Sequence, residues 1–296
     1  MNYKGFEIIE TDGGVIIKGV RDFDPVHIFE CGQCFRWIRQ DNGSYVGIVK
    51  DKAVNVSFQD GILAISNSSF SDFKNLWYDY FDLGTDYSEI KEKLSQKDGI
   101  MAKAVEFGHG IRILKQDIWE TLISFIISAN NRIPRIMKTV AAISVMLGRE
   151  ICFEGKSFYT FPGVHELSAS CITELEACKG GFRCKYIHAT AKMIENGSVN
   201  LDELKSMKTD EARNELNKLP GVGNKVADCT LLYSGTKRDV FPTDVWVKRV
   251  MEELYFKRNA SFKEIQEFAQ DYFGELSGIA QQYLFYYARE NKIGVE

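Results

Sequence analysis

The sequence predicts an α+β protein in which an N-terminal antiparallel sheet precedes a mainly helical remainder. Three observations carry that prediction. β-branched and aromatic clusters parted by glycine-bearing turns occupy residues from about Phe6 to Ile65. From about Phe70 onward, apolar residues recur at three- and four-residue spacing. Helix starts are written out in the second part, where hairpin signals become few.

The elements follow in order. Val15-Ile16-Ile17 comes after Gly13-Gly14, Tyr45 to Val49 is rich in β formers, and Asp60-Gly61 separates Val54-Asn55-Val56-Ser57-Phe58 from Ile62-Leu63-Ala64-Ile65. An Asp-Gly pair between two such runs is a hairpin turn, because both residues tolerate the left-handed backbone the turn needs. Asp117-x-x-Glu120 and Ser261-x-x-Glu264 match reciprocal capping boxes at helix starts. Pro134 fits the first turn of a helix running towards Leu147, and Gly148 stops it. Asp210 to Lys218 and Lys225 to Tyr233 read as two helices joined by a tight turn, and the stretch Val245 to Phe256 is amphipathic.

At 296 residues the chain exceeds a usual single domain, so two or three closely packed subdomains with a cleft between them are expected. Hydrophobic residues at 45% and aromatics at 12% exclude a disordered chain. A net charge of −4 is not that of a basic nucleic-acid binder, so any DNA contact falls to local clusters: Arg132/Arg135/Lys138, Arg183/Lys185, Lys237/Arg238 and Lys248/Arg249. Seven scattered cysteines do not make a secreted disulfide framework, and the lone Cys31-x-x-Cys34 pair has no second pair to complete a zinc site. The N-terminus lacks a signal-peptide core, and no run reaches the ~18 apolar residues of a membrane span. A monomer in the cytoplasm, nucleoid-associated in a prokaryote, is expected.

The segment Leu219-Pro220-Gly221-Val222-Gly223-Asn224-Lys225 carries the chemistry. Two glycines in a tight turn at a helix start let the backbone approach an anion, while the unpaired N–H groups of that helix point at it. Phe161-Pro162-Gly163-Val164 repeats the Pro-Gly-Val text without the second glycine and the lysine, and reads as a turn only. Lys225 sits in the first turn, at the positive end of the helix dipole, beside Val226 and Ala227; such a place favours the neutral amine that nucleophilic attack at carbon requires. Phe241-Pro242-Thr243-Asp244 follows, and Asp244 is placed to cap the next helix and to stabilise positive charge nearby. Lys225 and Cys229 are four apart on one helix face, as are Gln281 and Phe285 on another.

The hairpin lysine and the Pro-x-Asp resemble the helix-hairpin-helix DNA glycosylase superfamily. The flanking text, from Gly32-Gln33-Cys34-Phe35-Arg36-Trp37 to Gly278-Ile279-Ala280-Gln281-Gln282-Tyr283-Leu284-Phe285, is similar to its 8-oxoguanine branch. The resemblance implies an N-terminal antiparallel β-sheet domain with connecting helices over 1–105. It implies a two-lobed helical HhH-GPD glycosylase domain over 106–296, with the hairpin at 210–234.

It further implies excision of 8-oxoguanine from double-stranded DNA and strand nicking through a lysine Schiff base, with no metal or redox cofactor. Lys225 would be the nucleophile and Asp244 its electrostatic partner. Cys229 and Phe285 would sandwich the flipped base, Gln281 would bond its Watson–Crick edge, and the Gly32 carbonyl would accept the N7–H that guanine lacks. Gly221, Val222 and Gly223 would grip a phosphate. Asn130 would fill the gap in the stack, Phe182 would wedge into it, and Arg135 with Arg183 would bond the estranged cytosine. Three positions depart from the family pattern: Trp246 for a histidine, Phe182 for a tyrosine and Arg132 for an asparagine. Two alternatives stand beside this reading, a non-catalytic hairpin DNA-binding module and an endonuclease-III-like pyrimidine glycosylase. The second commonly carries a four-cysteine cluster near its C-terminus, whereas the last cysteine here is Cys229.

Overall fold

The structure is a computed structural model and describes residues 1–294. Seven strands open the chain: β1 (Asn2–Tyr3), β2 (Phe6–Thr11), β3 (Gly14–Lys18), β4 (Trp37–Arg39), β5 (Tyr45–Val49), β6 (Lys52–Gln59) and β7 (Ile62–Ser66), with helix α1 (Pro25–Phe29) between β3 and β4. They form one sheet in the order β1-β2-β3-β7-β6-β5-β4, each neighbour pair antiparallel. Asp60 and Gly61 both take positive φ, 50° and 78°, and turn β6 onto β7 with Gln59 opposite Ile62. Alternation along the strands puts Ile8, Val15, Ile17, Val54, Val56, Leu63 and Ile65 on one face, in a core with Phe29, Trp37 and Trp77.

The other face of β5 and β6, at Val46, Ile48 and Ala53, is covered by a hairpin from far along the chain. It consists of β8 (Glu150–Phe153) and β9 (Lys156–Tyr159), whose Phe153, Ile151 and Phe158 pack on the sheet. This is why β5 is buried at every residue. A hairpin here departs from the mainly helical expectation. Its turn residues Glu154 and Gly155 adopt φ of 49° and 71°, a turn geometry that asparagine or aspartate usually announces in that first position.

The helical part begins with α2 (Phe70–Asp72) and α3 (Tyr78–Tyr80), which flank one wide turn, then α4 (Tyr87–Ser95), α5 (Gly99–Phe107), α6 (Ile118–Ser128) and α7 (Ile133–Leu147). After the second hairpin come α8 (Val164–Ala169), α9 (Ile172–Ala177), α10 (Arg183–Glu195), α11 (Thr209–Leu216), α12 (Asn224–Tyr233), α13 (Val245–Met251), α14 (Phe262–Phe273) and α15 (Ser277–Glu290). Helix α6 is buried from Trp119 to Ser128 and packs along α12, which is buried from Val226 to Tyr233; the main apolar core forms around this pair. No helix among the described residues is long and apolar enough to cross a membrane.

The two capping boxes differ. Ser261 and Glu264 exchange both bonds, as reciprocal capping requires. Asp117 accepts from the Glu120 N–H at 2.9 Å, but Glu120 does not reciprocate: its carboxylate turns to Arg36 at 3.4 Å, where burial holds it above the usual carboxylate range. Proline at the start of α7 and Gly148 at its end lie where the sequence puts them. A Cβ on Gly148 would overlap the Thr160 carbonyl, so the second hairpin closes directly on the helix end.

The sheet is tied to the helices by buried polar groups. Gln33 donates to the Ile28 and Arg112 carbonyls and accepts from the Leu114 N–H, while Arg112 donates to the carbonyls of Arg21, Asp22 and Asp82. Each of these bonds satisfies a group that burial would otherwise leave unpaired. The loop holding Gly32 therefore hangs from two parts of the fold at once.

Candidate active site

The turn between α11 and α12 is shaped by Gly221, whose φ is +78° and whose Cβ would strike the Tyr186 ring at 2.7 Å. Thr190 on α10 donates to the Pro220 carbonyl at 3.1 Å and fixes the turn from below. Gly223 stands at the start of α12 in extended conformation, with no side-chain cap and no atom within 4 Å of where a Cβ would lie. The first N–H groups of α12 thus remain open to an anion brought against Gly221, Val222 and Gly223.

In the first turn of α12, Lys225 enters a recess of about 120 Å³ lined also by Gly32, Cys229, Asp244, Gln281 and Phe285. Six residues singled out from four separate stretches of sequence meet there. Lys225 Nζ donates to Ser128 Oγ at 3.1 Å, and the Ser128 hydroxyl in turn donates to the Phe125 carbonyl at 2.7 Å. The amine also lies 5.1 Å from the centroid of the Phe125 ring. No carboxylate among the described residues comes within ion-pair distance of it. Asp244 caps α13 by accepting from the Val247 N–H at 2.8 Å through one carboxylate oxygen.

Two walls of the recess are soft and apolar. Burial pushes the Cys229 thiol up to about 12, so it stays protonated at neutral pH. Phe285 is held edge-on by Trp246, their ring centres 5.1 Å apart, and by Arg289, whose guanidinium lies 5.8 Å from the Phe285 ring. Trp246, a departure from the family pattern, thus acts as a support for a wall. Gln281 is 3% exposed, and its side-chain oxygen finds no donor among the described residues. A buried acceptor without a partner costs about 1–3 kcal/mol, which a ligand offering an N–H would recover.

Gly32 has φ of +89°, and a Cβ on it would lie 3.3 Å from the Phe285 ring. Only glycine meets both conditions at low cost. Its carbonyl accepts no hydrogen bond from the described residues, although the carbonyls of Glu30, Cys31 and Gln33 beside it all do.

Asn130 follows α6 with φ of +48° and is exposed, as is Arg135 on the first turn of α7. Phe182, at the head of α10, is 58% exposed and makes an edge contact with Tyr186. Arg183 is different. It is 4% exposed, and it donates to the carbonyls of Ala129 and Asn130, both at 2.8 Å, and to that of Gly180 at 3.4 Å. The donors expected to face a cytosine are here committed to backbone carbonyls, because the loop after α6 runs directly over the start of α10. Arg183 holds the Asn130 loop in place.

Sequence reasoning did not single out Ser128, Phe125, Phe35, Tyr233 or Ile136, all of which line the recess. Phe125 and Ser128 are three apart on α6 and share a face, a spacing that carries no chemistry of its own until α12 is packed against it. One group of three metal-ligand side chains occurs among the described residues, Asp24, His27 and His109, with ligand atoms within 4.8 Å of one another. Asp24 Oδ1 already accepts from the Val26 N–H at 2.8 Å and His27 Nδ1 from the Gly110 N–H at 3.2 Å, and none of the three lines the recess.

Two family models match the chain. Residues 15–122 match the N-terminal domain of 8-oxoguanine DNA glycosylase, and residues 123–275 match the HhH-GPD superfamily base excision DNA repair protein. A probable N-glycosylase/DNA lyase of Methanothermobacter thermautotrophicus is 32% identical over 231 residues, covering 71% of this chain and 73% of that protein. An N-glycosylase/DNA lyase of Arabidopsis thaliana is 30% identical over 87% of this chain and 75% of its own. Among solved structures, the 8-oxoguanine glycosylase/lyase of Clostridium acetobutylicum, in complex with duplex DNA containing cytosine opposite 8-oxoguanine, superposes with a TM-score of 0.94. It is 47% identical, over 99% of this chain and 100% of that one.

Proposed function

The chain belongs to the HhH-GPD superfamily of base excision DNA repair proteins, and we propose that it excises 8-oxoguanine from duplex DNA and nicks the strand, with Lys225 as nucleophile. The observation that carries this reading is a lysine without a carboxylate partner among the described residues, facing a recess that also holds Asp244 and a buried acceptor that none of those residues pairs.

Extruding a base costs a few kcal/mol, and contacts on both sides of the helix offset it. Asn130 and Phe182 fill and wedge the vacated stack, Arg135 contacts the partner strand, and the hairpin N–H groups take a phosphate. In the recess the base lies between Cys229 and Phe285. Its N1–H and amino donors satisfy Gln281 Oε1, and its N7–H meets the Gly32 carbonyl. Guanine presents a lone pair at N7, so the carbonyl loses a bond and faces repulsion. A single contact of about 1–3 kcal/mol separates the two bases by roughly 5- to 150-fold.

The neutral Lys225 amine attacks C1′ as the N-glycosidic bond breaks, and the base leaves with the bonding electron pair. Asp244 stabilises the positive charge that develops on the sugar. The ring opens to a Schiff base between Lys225 and C1′; loss of a C2′ proton then expels the 3′ phosphate by β-elimination. One chain supplies every group, which supports a monomer, and the absence of any disulfide among the described residues supports work in a reducing, chromosome-bearing cytoplasm.

Borohydride added during reaction with an 8-oxoguanine:cytosine duplex should trap a covalent enzyme–DNA adduct. Lys225→Gln should bind that duplex and trap none of it; an undiminished adduct yield from the variant removes Lys225 from its role.

A further inference from the structure

Behind the recess, Gln282 stands next to Gln281 but turns the other way. It is fully buried, and both ends of its amide are used: Nε2 donates to the Cys31 carbonyl at 3.0 Å and Oε1 accepts from the Tyr233 hydroxyl at 2.6 Å. Tyr233 stacks on Phe125 with ring centres 5.2 Å apart and planes inclined by 21°, and Phe125 lies beneath Lys225. A continuous polar and stacked path therefore joins the peptide preceding Gly32 to the platform under the nucleophile.

Gly32 needs such support. A glycine at φ of +89° has no side chain to lock its orientation, so the direction of its carbonyl is set by the peptides on either side. Arg289 fixes the Glu30 carbonyl at 2.7 Å, Gln116 fixes that of Gln33 at 2.7 Å, and Gln282 fixes that of Cys31, the peptide plane immediately before Gly32. Hydrogen bonds weaken steeply with angle, so a small rotation of this peptide would misdirect the Gly32 oxygen. We propose that Gln282, locked by Tyr233, is the positioning residue that aims the Gly32 carbonyl and so sets the discrimination between 8-oxoguanine and guanine. This rests on the reading of Gly32 as the N7–H acceptor.

The test compares equilibrium binding of 8-oxoguanine:cytosine and guanine:cytosine duplexes in a Lys225→Gln background, where no strand is cut. Adding Gln282→Met, which keeps the length and drops both polar atoms, should narrow the ratio of the two dissociation constants by at least about fivefold. With Lys225 restored, Gln282→Met should cut a preformed abasic site within about twofold of the unmodified rate, since no base is read there. Tyr233→Phe, which removes one oxygen and keeps the ring, should narrow the binding ratio less, and it carries the test if Gln282→Met fails to fold. An unchanged ratio in both variants overturns the proposal. So does a loss of abasic-site cutting as large as the loss of excision, which would mark a general collapse of the site. Equal binding of the two duplexes by the Lys225→Gln parent would instead defeat the Gly32 reading itself.

Discussion

Replacing Arg183 with methionine separates two roles that an arginine at this place can have. In the structure its guanidinium is buried and bonded to the carbonyls of Ala129 and Asn130, with a longer bond to Gly180. Methionine fills most of the space and leaves those oxygens without a charged donor. Bonds to charged groups contribute about 1.5–3 kcal/mol each, but the Asn130 end is exposed and water can replace part of the loss. A destabilisation of about 2–3 kcal/mol follows, which for a chain of this length lowers the melting temperature by roughly 3–5 °C. Thermal and urea unfolding of the DNA-free protein measure it directly. Excision should fall with every base placed opposite the lesion, because the whole Asn130 loop loosens. A variant that melts within about 1 °C of the parent, yet loses activity only opposite cytosine, would show that the guanidinium serves DNA and that its carbonyl bonds are incidental.

Two further outcomes follow from groups in and behind the recess. Gln281→Met removes an acceptor that is buried without a donor, so the protein should gain up to about 1 kcal/mol in urea unfolding while 8-oxoguanine excision falls by tenfold or more; a destabilised variant would mean that the amide is satisfied in solution. Asp228, bonded to Arg213 Nε at 2.6 Å across the hairpin, is pushed by burial up to about 6 from an ordinary 3.8. Because its folded value is the higher one, its contribution to stability is complete below pH 4 and is lost as pH rises through 6. The difference, 6 − 3.8 = 2.2, corresponds to at most about 3 kcal/mol. Asp228→Asn does not titrate, so its stability relative to the parent should improve between pH 4 and pH 7 in parallel urea melts. A relative decline over that window would mean that Arg213 keeps the carboxylate charged throughout.

How much of this was legible in the sequence varied with the distance over which each feature is decided. Strands β6 and β7 are announced by Asp60-Gly61 between alternating apolar runs, a local signal that fixes a local pairing. Strands β8 and β9 have four residues each and a glutamate in the turn, and what makes them strands is a sheet face about a hundred residues earlier. The recess shows the same division. Lys225 with Cys229, and Gln281 with Phe285, share helix faces by spacing alone, whereas the Lys225–Ser128 contact joins residues 97 apart. Gln282 escapes notice because it stands beside Gln281, in text that gives no hint that the two amides part company. Arg183 reads as a DNA contact through the family resemblance alone; only the path of the loop after α6 shows where its donors go.

The state of the sulfur atoms has a consequence for the conditions under which this enzyme works. Its lesion is made by oxidants, so the protein is called upon while peroxide and its products are at their highest. Those agents attack the thiolate far faster than the thiol. Burial keeps Cys229 and Cys31 protonated, at about 12 and about 11, and raises Cys34, Cys178 and Cys184 as well. The exposed sulfurs are Cys152 and Cys171, neither of which borders the recess. The fold thus turns its vulnerable atoms outward, away from the recess, and leaves there a cysteine that is chemically quiet.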